Sequence, residues 1–114
     1  MDIPQLEKEL MEKAGWLVSK LGEQKGLVQA YAQAEHNYRV ALAKKMTELK
    51  LNGEKVTIIS DLSRGDDVVA GLKKERDIAD GILDACKSSI RSMQATMSGI
   101  QSLISTKKEE MKLV

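Results

Sequence analysis

The side chains able to do chemistry gather in two short windows of the chain. Glu35, His36, Tyr38 and Arg39 form the first; Lys73, Arg76, Asp77 and Asp80 form the second. Arginines with a lysine and a tyrosine suit the capture of an anion. A guanidinium holds phosphate or carboxylate oxygens bidentately, and an aromatic ring stacks a base. A preformed pocket of this kind needs no catalytic step. The same residues have a second use, because polar groups inside an apolar seam fix register and oligomer state. Burying an ion pair rarely gains stability over an apolar replacement, so specificity is then its purpose. Both readings stand on the residues alone.

Two long elements must position these windows. Asp2 and Pro4 are a helix-start signal, a capping acid followed by a proline that needs no amide partner. From there a seam recurs at alternating steps of four and three: Leu10, Ala14, Leu17, Leu21, Gln24, Val28, Tyr31, Glu35, Tyr38, Leu42, Lys45 and Leu49. A flanking row of Met11, Val18, Ala32 and Met46 widens it. This predicts a helix over about residues 4–50, with Gly15, Gly22 and Gly26 weakening it and 22–26 as the place for a break. Asn52-Gly53 supplies its stop. A second seam predicts a helix over about 67–111: Val69, Leu72, Arg76, Ala79, Leu83, Cys86, Ile90, Met93, Met97, Ile100 and Ile104. Ser63 with Asp66, or Asp67 itself, caps its start.

Between them, residues 51–66 read as an extended connector, since Val56-Thr57-Ile58-Ile59 is a β-branched run. Lying against the bundle, it would bring Thr57, Asp61 and Arg64 as a lid toward Arg39 and Arg76. With reversal near 57–58, antiparallel pairing sets residue i opposite roughly 115 minus i. Tyr38 and Arg39 are then level with Arg76 and Asp77, and Glu35 with Asp80. The polar interruptions of two independent seams thus meet at one height.

The expected fold is all-α: one domain over 1–114, a long antiparallel helical hairpin whose widened stripes assemble into an oligomeric helical bundle. A break at 22–26 would instead give a compact three-helix monomer. Composition agrees with helices, at 31% charged and 3% aromatic residues with no phenylalanine and one proline. Net charge is +1, so nothing in bulk electrostatics marks a nucleic-acid or membrane binder. Cys86 stands alone, which excludes an intrachain disulfide and thiolate zinc clusters, and its seam position reads as a small buried hydrophobe. His36 reads as solvated, without partners for a metal. The N-terminus lacks signal-peptide character and no apolar run spans a membrane, so the expected setting is cytoplasmic. No P-loop, dinucleotide fingerprint or catalytic triad is present, and a non-enzymatic protein without cofactor is expected.

Three blocks carry a resemblance: Tyr38-Arg39-Val40-Ala41-Leu42-Ala43-Lys44, Asp61-Leu62-Ser63-Arg64-Gly65-Asp66 and Leu72-Lys73-Lys74-Glu75-Arg76-Asp77-Ile78-Ala79. Over about residues 31–80 the chain resembles small helical proteins encoded by phages and prophages of Gram-positive bacteria. The resemblance implies an accessory protein acting inside an infected bacterial cell, and no catalytic residues. In that setting one expectation is a sponge that sequesters a phosphate-bearing nucleotide signal of host immunity, in a homo-oligomer. Its ligand-binding residues would be Tyr38, Arg39, Thr57, Arg64, Lys73 and Arg76. The others are an adaptor in phage DNA replication or recombination, and a structural bundle with no ligand. Direct DNA binding is disfavoured by the neutral charge and the scarcity of stacking aromatics.

Overall fold

The computed structural model describes residues 1–113. Three helices in chain order account for nearly all of them: α1 (Ile3–Leu51), α2 (Val56–Gly65) and α3 (Asp67–Lys112), with no strand among the described residues. Among the described residues, no helix is long and apolar enough to cross a membrane.

α1 begins on a reciprocal capping box. The Gln5 amide donates to Asp2 Oδ1 at 2.9 Å, and Gln5 Oε1 accepts from the Asp2 amide at 2.8 Å. The helix then runs unbroken through Gly22 and Gly26, so the break expected there does not occur. About 1 kcal/mol per interior glycine is small against the turns propagating on either side. α1 ends where expected. Gly53 takes a positive φ of 82°, the Glu54 amide reaches Leu49 O at 3.1 Å, and the Gly53 amide reaches Lys50 O at 3.2 Å. That is a Schellman closure, which needs a residue free of a Cβ clash at the left-handed position.

The extended connector over 51–66 is corrected. Val56-Thr57-Ile58-Ile59 forms the opening of α2, not a lid or an edge strand. The reason is periodicity: Ile59 and Ser63, four residues apart, are both buried on the inner face of this helix. A few tenths of a kcal/mol of unfavourable β-branched propensity are offset by roughly 1.5–3 kcal/mol from burying Ile59. Only Asp66, in extended backbone, separates α2 from α3. Its Oδ2 accepts from the Val69 amide at 3.2 Å, so Asp66 is the N-cap of α3.

The contacts divide the chain into two compact units. The terminal unit joins Met1–Lys25 to the segment from Asp84 onward. Its core is Leu6, Ile100 and Ile104, with Ile3 and Leu10 packed against them. Further along, the Cys86 thiol points at Lys20 O, 3.9 Å away, and the Lys20 ammonium lies 5.6 Å from the centre of the Trp16 ring. The central unit is Gly26–Leu83 and contains α2 whole. Tyr38, Ile59, Val69 and Leu83 are its buried apolar side chains.

The predicted α3 seam is buried or half-buried at every position from Val69 to Ile104. On α1 the seam holds except at Leu21 and Val28, which are exposed, while Leu27 is half-buried in place of Val28. A straight helix drifts against a strict seven-residue repeat, and the stripe steps back by one residue here. The flanking row of Met11, Val18, Ala32 and Met46 is exposed.

Candidate functional site

The polar interruptions of the two seams do meet, in the central unit, but one helical turn away from the expected register. Glu35 faces Arg76, not Asp80: Arg76 Nη1 donates to Glu35 Oε2 at 3.2 Å. Nearer α2, Lys45 Nζ lies 3.6 Å from Asp66 Oδ1. Across these two pairs the facing numbers fall as the α1 numbers rise. The shift follows from α2. A helical connector reverses the chain earlier than an extended one centred on 57–58, and α3 is displaced accordingly.

Arg76 is the centre of the cluster. Its Nε and Nη2 donate to Asp77 Oδ1 at 3.2 and 2.9 Å, its Nη1 serves Glu35, and its guanidinium carbon lies 4.7 Å from the centre of the Tyr38 ring. Tyr38 is buried beneath it, at 7% exposure. Arg39 binds the other Glu35 oxygen through Nε at 2.6 Å, and its side chain is 75% exposed. The Arg39 guanidinium, and with it Arg76, holds the Glu35 carboxyl below the ordinary carboxylate range. Asp77 first, then Glu35, hold Arg76 protonated above its ordinary value. Two guanidinium groups and two carboxylates make the cluster close to neutral.

The six residues expected to hold a ligand are only partly brought together. Tyr38, Arg39 and Arg76 form the cluster. Lys73, Thr57 and Arg64 are exposed, and no hydrogen bond or ion pair joins them to it among the described residues. The lid role for Thr57 and Arg64 goes with the extended connector, because a helical α2 buries Ile59 and Ser63 and turns those two outward. Asp80 is exposed and takes no part in these pairs.

Two partners were missed from the sequence. Asp77 was visible as a flanking acid, but its i,i+1 contact with Arg76 follows no helical-face rule. Lys45–Asp66 was hidden by the one-turn register error. Ser63 also differs from expectation: it caps nothing, is fully buried inside α2, and its hydroxyl has no hydrogen-bond partner. Such a group costs about 1–3 kcal/mol. Among the described residues, no three His, Cys, Asp or Glu side chains gather where a metal ion could be held. Comparison with protein-family models, with curated proteins and with solved structures finds no match to this chain.

Proposed function

We propose that this chain is an assembly module: a non-enzymatic accessory protein of the phage type that its central blocks resemble, in which α1 and α3 form a hairpin that joins copies of itself in a helical bundle. The observation that carries this reading is apolar surface on and beside the seams. Met11, Val18, Leu21 and Val28 on α1, and Ile78, Ile82 and Leu103 on α3, are each at least 45% exposed. Apolar side chains repeated along helices are what bundles bury. In this reading Tyr38, Arg76 and Glu35 set the register. Every nitrogen of the Arg76 guanidinium already serves a carboxylate, which leaves little to hold a ligand phosphate.

Sequestration of a phosphate-bearing nucleotide is the second reading, and one observation favours it. Arg39 spends only Nε on Glu35, and its terminal amino groups face solvent on a side chain that is largely exposed. Native mass spectrometry of the full chain, purified from bacteria, tests both readings at once. Assembly alone gives a multiple of 12.6 kDa with no added mass. A retained species of nucleotide mass, lost on Arg39→Ala, would move the conclusion to sequestration. A bare monomer would overturn the assembly reading.

A further inference from the structure

The central unit has one side covered and one side open. α2 covers the side reached by stepping one residue forward from the α1 seam: Met46 and Lys50 line a groove with Val56, Ile59 and Ser60 of α2. The other side is reached by stepping one residue back. There Ala41 and Lys44 of α1 line a groove of about 310 Å³ with Val68 of α3. Seven-residue steps along this side lead from Ala41 to Ala34 and Leu27, with Ala30 between them. On α3 they lead from Val68 to Glu75 and Ile82, with Ile78 between them. Val68, Ile78 and Ile82 are 66%, 52% and 50% exposed. Glu75 and Lys44 are the charged residues among these positions, and Lys45, Glu48 and Asp66 also line the groove.

We propose that this face binds a second copy of the chain about a two-fold axis, with Ile78 and Ile82 of each α3 seated against the alanine row of the other copy's α1. The inference rests on the assembly reading and names its interface. Two features select a second copy as the occupant. The face is self-complementary in size, large aliphatic side chains on α3 beside Ala30, Ala34 and Ala41 on α1, and an isologous contact needs both halves on one surface. The exposed area also leaves room for such a contact. The chain exposes 8143 Å² where a monomer of its mass ordinarily exposes about 6,200 Å². That excess is more than the roughly 800 Å² per partner that a standard interface removes.

Sedimentation velocity on the full chain, from low micromolar to about 100 µM, tests the interface. Ile82→Glu and Ala30→Arg each place a charge on the face, one from each helix. Both are expected to weaken association at least tenfold, since each substitution is repeated across the two-fold. Val56→Glu, on an 81% exposed side chain of α2 outside the face, leaves association unchanged. Circular dichroism identifies any variant that loses helix, and the variant on the other helix then decides. A wild-type chain that assembles while Ile82→Glu and Ala30→Arg assemble equally well overturns this interface and leaves assembly standing. A wild-type chain that is monomeric throughout overturns both.

Discussion

The terminal and central units hold their helices together by different means. Among the described residues, every ion pair of the terminal unit lies within a single helix: Glu9 with Lys13, Lys20 with Glu23, Glu109 with Lys112. The hydrophobic cluster there is Leu6, Ile100, Ile104 and their neighbours. The central unit adds ion pairs that cross between elements, Glu35 with Arg76 and Lys45 with Asp66, plus a stacked Tyr38 and a third helix. Apolar contacts supply attraction but discriminate poorly between neighbouring registers, because another apolar residue follows three or four positions on. A wrongly set charge must be desolvated without its partner, so polar crossings penalise a slip. The difference teaches that attraction and register are separable along one pair of helices.

The strongest way to break this contrast is to remove attraction where nothing else is present. Leu6 is 2% exposed and packs on Ile100 and Ile104. Leu6→Ala is expected to cost about 2–4 kcal/mol, by lost transfer energy and the cavity left behind. Urea unfolding measures the loss, and amide exchange locates it. Protection should fall first across 3–20 and 90–108, with residues 35–45 and 66–80 retaining theirs. Uniform loss over both regions would mean that the two units do not differ as described.

A smaller effect sharpens the central side of the comparison. Asp66 caps α3 through the Val69 amide and faces Lys45 across the unit. Asp66→Ala should cost about 1 kcal/mol through the cap, with faster exchange at Val69 and Ala70. Asp66→Asn keeps a capping oxygen and loses the charge, so it should recover most of that stability. If both variants lose the same amount, Lys45 rather than the cap is what Asp66 serves.

These residues also show how much is legible in the sequence. The α3 seam, both caps of α1 and the meeting of Glu35 with Arg76's neighbourhood follow from periodicity and capping chemistry, which act locally. The β-branched propensity of the four-residue run Val56-Thr57-Ile58-Ile59 argues for extended structure where α2 stands. In the structure Ile59 and Ser63, four residues apart, instead share the buried face of a helix. An extended connector in place of α2 shifts the register by one turn. It places Asp80 in the cluster, removes Asp66 from Lys45, and makes a lid of Thr57 and Arg64. Register is set by the length and form of the connector, so it is the quantity most exposed to a local mistake. Ser63 carried no usable signal, because a serine beside a helix start ordinarily caps it.

The smallest expected effect is the most direct test of what the cluster does. Arg39, with Arg76, lowers the Glu35 pKa below its ordinary 4.5 in the folded chain. A folded-state pKa below the unfolded one means that unfolding takes up protons, so the pair's contribution is complete above the ordinary value. It is lost as the pH falls below 4.5 and through the lowered folded value. Melting temperature followed from pH 7 to pH 3 should therefore fall more steeply in the wild type than in Glu35→Gln, with the two slopes diverging only below about 4.5. Glu35 is half-buried and water screens the pair, so the divergence should be modest. Salt should narrow it further. Glu9→Gln, which removes a same-helix pair of the terminal unit, gives the comparison its control. If it diverges from the wild type as much as Glu35→Gln does, the Glu35 cluster contributes no more than an ordinary same-helix pair.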